Sequence, residues 1–432
     1  MAVLMRNLLG LATLGTILAF AGCDRLVDDP TPQTPSGGVL VSSVPLDSSH
    51  LISANAEELS AVESVAGPSN NDGAIPPPPN PFSNHSKASS PPQQQIASNA
   101  PPILSVTLQS GRIEGLPIGL FSDTTLLMKS NGQIAYLPTN EIVAHHVTGQ
   151  PFVAQDFRGM KQDLQMEFGS NYSIRQANPY LVVAKLSRIG TWCERFQKFH
   201  HSMKSYCLTY GIPLRNLDFS LIAIVFGTKA EFFEYARSEG SNIPLNCVGY
   251  YSQKSNRIVL FENDNSTEMD STLETICHEA THQFAFNSGL HQRLAETPKW
   301  LMEGFAVQFE APAYCNYTTR SHASFWPTSQ RQAWDALKND RKHLQQLFQD
   351  LIATDEPFKS DTLNAYTVSW ALNTYLSQRR GSQYVAYLRK MGSMKPFSRY
   401  SRGDRVRDFS MAFGSDISLL IRETIQHLDR MR

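Results

Sequence analysis

The residues of this chain best suited to chemistry are two histidines four apart with a glutamate between them, His278-Glu279-Ala280-Thr281-His282. On an α-helix that spacing stacks both imidazoles on one face, so two ring nitrogens can reach one ion while the Glu279 carboxylate lies beside that face. A zinc ion held there would acidify water from a pKa of about 15.7 to roughly 7, and Glu279 would be placed to take the proton. A zinc that does chemistry uses three protein ligands and keeps one position open, so a third ligand must come from elsewhere. Glu303, in Trp300-Leu301-Met302-Glu303-Gly304, is the natural candidate. In a chain with 12 histidines, the five-residue pattern would arise by accident on the order of once or twice per hundred chains of this size, so the flanking elements must carry the inference.

Those elements read as helices. Ser271 followed by Glu274 is a capping box, and Leu273, Ile276, Ala280 and Phe284 recur at helical spacing until a stop at residues 287–289. A second helix begins at Thr297 as N-cap with Pro298 in its first turn. It carries Leu301, Phe305 and Phe309 along one side and must end before Pro312. Ahead of the first helix, residues 256–262 form a short β-branched and aromatic run that reads as a strand. Residues 366–376 read as a later helix with apolar positions at Val368, Leu372, Tyr375 and Leu376. A third histidine ligand in the spacing H-E-x-x-H-x-x-G-x-x-H is excluded, because it needs glycine at Ala285 and histidine at Ser288. His291 falls beyond the Gly289 stop and reads as a surface residue.

With those residues in place, His278-Glu279-x-x-His282 and Trp300-Leu301-x-Glu303-Gly304-x-Ala306 resemble the gluzincin group of zinc metallopeptidases, typified by thermolysin-like proteases and the zinc aminopeptidases. The wider string from His278 to Gln283, followed by Phe284-Ala285-Phe286-Asn287, is similar to a family of uncharacterised bacterial proteins classed as a domain of unknown function within that clan. The resemblance spans roughly residues 215–390 and implies a thermolysin-like fold. It implies His278, His282 and Glu303 as zinc ligands, and Glu279 as the general base that activates water and then passes its proton to the leaving amine. Thermolysin-like enzymes carry an aspartate one turn after the third ligand to orient a histidine. Here that position is Val307, which leaves the orienting partner unassigned, and such partners tune affinity or activity by about 10 to 100-fold. In zinc aminopeptidases a tyrosine on a later helix stabilises the oxyanion, which makes Tyr366 the candidate; a tyrosine that merely packs is the other reading, and His322, His343 and Tyr317 are substitutes. The strand matching 256–262 edges the cleft in gluzincins and pairs with an extended peptide.

The ends of the chain say where such a site would work. Arg6, an apolar run over 8–20 and Phe20-Ala21-Gly22-Cys23 resemble a bacterial lipoprotein signal at residues 1–23, with Cys23 as the lipidated residue. The run is shorter than the roughly twenty residues a membrane span needs. The expected location is the bacterial cell envelope, on a membrane through that anchor. Residues 24–102, rich in Pro, Ser, Asn and Gln, read as a disordered tether reaching roughly 50 Å, with residues 51–65 as a transient helix. Residues 103–150 read as a small β module with runs at 103–108, 125–129, 134–137 and 142–147 and a hairpin turn at Asn131-Gly132; it could bind peptide or brace its neighbour.

Residues 151–432 then read as the metallopeptidase-like domain, α+β with a helical second half. Its expected parts are strands at 181–184 and 221–226, a helix over 191–210, a helix capped by Thr228 and Glu231 and stopped by Gly240, and one amphipathic helix around 409–427. A net charge of -1 gives no global basic field, which argues against nucleic acid as partner and leaves a peptide or protein substrate. Besides Cys23, five cysteines remain, so at most two disulfides form; Cys277, on the packed motif helix, is expected to be the free thiol. Two functions stay in play: a zinc-dependent peptidase, and a membrane-tethered binding or scaffold protein that keeps the fold without turnover.

Overall fold

The computed structural model describes residues 101–262, 269–315 and 325–431, with the side chains of 269–272, Cys315 and Thr328 outside the description. The signal-like segment with Cys23, the tether up to residue 100, the 51–65 segment, Tyr317 and His322 also lie outside the described residues. Among the described residues no helix is long and apolar enough to cross a membrane.

The first module is a five-stranded antiparallel sheet of β1 (Pro102–Leu108), β2 (Gly111–Leu120), β3 (Thr124–Met128), β4 (Ile134–Pro138) and β5 (Ile142–Pro151), in the order β4-β3-β2-β1-β5. Leu104, Val106, Leu108, Leu127 and Leu137 fill its small core. Strand β2 is absent from the four expected runs because Gly111, Gly115, Pro117 and Gly119 erase its alternation. The β3 to β4 hairpin turns at Asn131-Gly132 as expected: Gly132 has φ 82°, and the Asn131 Oδ1 accepts from the Gln133 amide at 3.1 Å.

A second, mixed sheet runs β6-β7-β8-β10-β9, from β6 (Ser173–Ala177), β7 (Tyr180–Ala184), β8 (Leu221–Phe226), β9 (Gly249–Ser252) and β10 (Arg257–Phe261). Its middle strands are buried at every position, and apolar but for Arg257 at the start of β10, because both faces are covered. Leu181, Val183, Ile222, Ile224 and Val259 point into one core with α1 (Phe157–Phe168) and α3 (Lys229–Ser238). Val182, Ala223, Val225, Ile258 and Leu260 point into the other, with α2 (Ile189–Thr209) and the helical half. Thr228 caps α3 as its sequence suggests, accepting from the Glu231 amide at 3.2 Å.

The helical half consists of α4 (Met269–Asn287), α5 (Lys299–Gln308), α6 (Pro312–Cys315), α7 (Thr328–Leu337), α8 (Arg341–Ala353), α9 (Pro357–Ser360), α10 (Thr362–Arg379), α11 (Gly381–Gly392), α12 (Arg402–Phe413) and α13 (Ile417–Arg430). The mixed α+β class is as expected. The single helix expected around 409–427 is two, α12 and α13, broken at Gly414 with φ 94°. Helix α10 is the pillar of this half: every residue from Ala365 to Ser377 is buried. It crosses α5 at Gly304, where a Cβ would collide with the Ser369 carbonyl and the Asn373 amide. Asn373 closes that crossing by donating to the Trp300 and Ser369 carbonyls at 2.8 and 2.9 Å while accepting from the Tyr384 hydroxyl at 2.7 Å.

The expectation that Cys277 is the free thiol fails. Cys277 is disulfide-bonded, as is Cys247, and the free thiols among the described residues are Cys193 and Cys207. Packing around a cysteine says how apolar its site is, not whether another sulfur lies opposite.

Candidate metal centre

Helix α4 supplies the two histidines. It starts two residues ahead of Ser271, so that serine is not its cap, and it ends at Asn287 before Gly289, whose φ is 78°. Helix α5 supplies Glu303. Its N-cap is Pro298 rather than Thr297; the Lys299 amide instead donates to Asp355 Oδ1 at 3.1 Å, a cap from far along the chain that local sequence does not reveal. Arg405 of α12 holds that aspartate through Nη2 at 2.6 Å and donates to the Leu351 and Ile352 carbonyls.

His278, His282 and Glu303 are brought together and buried. Their donor atoms form a triangle: His278 Nε2 to His282 Nε2 3.0 Å, His278 Nε2 to Glu303 Oε2 3.3 Å, and His282 Nε2 to Glu303 Oε2 3.5 Å. Ligands about 2.0–2.1 Å from a tetrahedral ion stand about 3.3 Å from one another, so these edges have the size a small cation requires. Glu303 Oε2 is buried with no hydrogen-bond partner, a costly state for a carboxylate oxygen and the one expected of a metal ligand. The residues present therefore fit a metal ion.

The orienting acid missing at Val307 is three residues further on. The His278 Nδ1–H donates to Glu310 Oε1 at 2.7 Å, which fixes the tautomer and turns the Nε2 lone pair toward Glu303 and His282. Glu310 lies past the last residue of α5, so a one-turn search misses it. Its signal is a single acid flanked by Phe309 and Ala311 in an otherwise apolar stretch.

The electrostatics suit a positive charge. Burial works against protonation of His278, but the carboxylates of Glu303 and Glu310 beside it outweigh this and hold its pKa well above the ordinary value of 6.5. Burial likewise pushes Glu303 up, but the neighbouring His282 and His278 hold it well below the ordinary carboxylate range. Burial raises Glu279 and Glu310, with the two imidazoles opposing.

Glu279 is fixed by a strand. Its Oε2 accepts from the Tyr251 amide at 2.7 Å, leaving the second oxygen of the carboxylate to address a water at the site. Tyr251 belongs to β9, which is the true edge of the sheet. The strand expected to edge the cleft is β10, and it lies inside, parallel to β8 on one side and antiparallel to β9 on the other. Four residues of β9 are too few for periodicity to register.

Tyr366 is buried with its ring centroid 6.4 Å from that of His278 and edge-on to Phe358 at 5.2 Å, so α10 does bring it beside the site. His343 is elsewhere, paired with Asp361 at 2.9 Å on an exposed face. His291 is not a surface residue: it is 1% exposed, edge-on to Phe286 and Phe305, with both ring nitrogens unpartnered and a pKa that burial pushes down to about 3. The chain beyond Gly289 turns back inward, with the Leu290 and His291 amides donating to the Ala285 carbonyl, so a helix stop did not mark the surface.

A family model described as a protein of unknown function (DUF1570) matches residues 272–398. That span, under a third of the chain, contains all three donor residues with Glu279, Glu310 and Tyr366. No curated protein matches the chain.

Proposed function

We propose that this chain is a zinc-dependent peptidase of the gluzincin type, acting on peptide or protein substrates from a lipid anchor at Cys23. The observation that carries the chemistry is the triangle of His278, His282 and Glu303 atoms at 3.0, 3.3 and 3.5 Å, with Glu279 held beside it by the Tyr251 amide. The mixed sheet with an antiparallel edge strand, followed by the histidine helix and a helical half, supports a thermolysin-like fold. The envelope location rests on the sequence of residues 1–23.

His278, His282 and Glu303 would hold the ion, which when bound supplies Lewis acidity and lowers the pKa of water to about 7. The protein's own residues do the proton work. Glu279 takes a proton from the attacking water and delivers it to the leaving amine, and its pKa, raised by burial, makes it a stronger base than a free carboxylate. Glu310 keeps His278 in one tautomer throughout. Tyr366, beside the His278 ring, would donate its hydroxyl to the oxyanion of the tetrahedral intermediate.

Metal content and hydrolysis of a broad peptide library, measured for the wild type and for Glu279→Gln, test this reading. The expected result is stoichiometric zinc in both and a loss of turnover of at least about a thousandfold in the variant, since a general base and the nucleophile it activates act as a unit. Turnover unaffected by the substitution would sink the mechanism. Zinc without turnover in the wild type would point to a tethered binding or scaffold protein.

A further inference from the structure

The β module is joined to the metal-bearing half around one guanidinium. Arg293, in the loop between α4 and α5, donates Nε to the Gln253 carbonyl at 2.6 Å and Nη2 to the carbonyls of Gln253 and Lys254, the latter at 3.1 Å. Its Nη1 reaches the other way, to the Gly132 carbonyl at 2.8 Å, with Met128 Sδ at 3.8 Å. One side chain thus grips the turn between β9 and β10 and the turn between β3 and β4 together. The Ile134 amide donates to the Lys254 carbonyl at 2.8 Å, and the Lys254 ammonium sits 5.7 Å over the Tyr136 ring.

The gripped turn is wired to the metal helix. Gln283, one residue after the ligand His282, donates to the Asn256 carbonyl at 2.8 Å and the Ile222 carbonyl at 3.1 Å. Asn256 and Asn287 exchange side-chain hydrogen bonds at 2.9 and 2.8 Å. The Tyr251 hydroxyl donates to Asn256 Oδ1 at 2.8 Å, and Asn256 itself sits at φ 57°, a left-handed conformation that asparagine tolerates in turns. Two residues up the strand from Gln253, the Tyr251 amide meets Glu279.

We propose that Arg293 is a positioning residue: by clamping the β module onto the β9 to β10 turn, it fixes the strand whose Tyr251 amide aims Glu279, so the module is a working part of the site. This rests on the peptidase reading of Glu279. The planar fork of five donors serves carbonyls on two sides at once in a fixed geometry, where a lysine ammonium offers three donors from a single point. Carbonyls do not titrate, so the clamp holds at any pH at which the fold does.

The test uses the full chain loaded with zinc, comparing wild type, Arg293→Ala and Arg293→Lys. Three quantities are read: kcat and KM on one peptide, zinc affinity by chelator competition, and hydrogen exchange across residues 249–256. Misaiming a catalytic group by an ångström costs on the order of 100-fold, so Arg293→Ala should lose about ten- to a hundredfold in kcat with faster exchange at Tyr251. Zinc affinity should stay within about twofold, because Arg293 grips the carbonyls of Gly132, Gln253 and Lys254 rather than His278, His282 or Glu303. Arg293→Lys, the variant to use if the alanine fails to fold, should show a partial loss of the same kind. Wild-type kcat in either folded variant, or a kcat loss matched by an equal loss of zinc affinity, overturns the proposal. A wild type that binds zinc but hydrolyses nothing removes the peptidase reading instead; unchanged exchange at Tyr251 in Arg293→Ala would then dispose of the clamp separately.

Discussion

Replacing Glu310 tests how the metal site is built, because it leaves every ligand in place. Its contact with His278 is a 2.7 Å N–H to carboxylate bond between side chains each 4% exposed, so solvent and salt screen it little. A net hydrogen bond to a charged group is worth about 1.5–3 kcal/mol, which at about 1.4 kcal/mol per decade is a factor of roughly 10 to 150. The range overlaps the 10 to 100-fold, about 1.4–2.8 kcal/mol, associated with removing a partner that orients a metal-bound histidine. Glu310→Gln keeps an acceptor for Nδ1–H and loses only the charge, so zinc should bind about tenfold more weakly. Glu310→Ala also frees the ring to rotate and change tautomer, and should approach a hundredfold. Competition against a chromogenic chelator at fixed, mildly alkaline pH reads both constants, with urea midpoints of the metal-free proteins showing that each variant folds. If folded Glu310→Ala binds zinc within about twofold of the wild type, the account of how His278 is presented is wrong.

Acidity should act on metal and fold in opposite senses. His278, held well above 6.5, must shed its proton to bind, so zinc affinity should climb as pH rises through its folded value. In the metal-free protein His278 contributes stability that is fully present below 6.5 and lost as pH rises through that folded value. Glu303 contributes stability present above 4.5 and lost as pH falls through its depressed value. Glu279 and Glu310, both raised, add to the loss on the alkaline side. Chelated protein should therefore melt highest on the acid side of neutral, and the increment from added zinc should widen with pH; calorimetry across pH would expose the reverse order. Gly304→Ala should destabilise by about 1–3 kcal/mol or more, because the added methyl strikes the Ser369 carbonyl and Asn373 at the α5 to α10 crossing; a urea midpoint equal to wild type would refute that packing. His291→Phe should keep zinc affinity within about twofold and leave stability equal or higher, since it removes two unpartnered buried nitrogens. A tenfold loss of zinc would mean the ring reaches the metal.

What the sequence disclosed and what it hid follow from the range of the forces involved. The His278, His282 and Glu303 cluster was readable because two of its members lie one helical turn apart and the third stands on the next helix. The strand at 221–226 was readable too, since six consecutive apolar residues with no polar side announce burial on both faces. Partners that act across long sequence distances were not readable. Asp355 caps a helix 56 residues away, Tyr251 reaches Glu279 through a main-chain amide that carries no side-chain signature, and Glu310 lies past the helix end where periodicity no longer applies. Strand β2 was hidden by its own glycines and proline, and β9 by its brevity. His291 and Cys277 were misjudged for a shared reason: position after a stop signal, or on an apolar helix, constrains the backbone but not what the side chain meets in space.

The aspartate that caps α5 bears on where the functional unit ends. The region of family similarity stops at residue 398, yet Arg405, which steadies Asp355 and through it the first turn of the Glu303 helix, lies in α12, beyond that limit. A chain cut after Ser398 would retain His278, His282 and Glu303 together with Glu279 and Glu310. It would lose the guanidinium that keeps the cap in place, and with it the rigidity of the helix on which the third ligand stands. The region of sequence similarity thus stops short of a helix that steadies the one carrying Glu303.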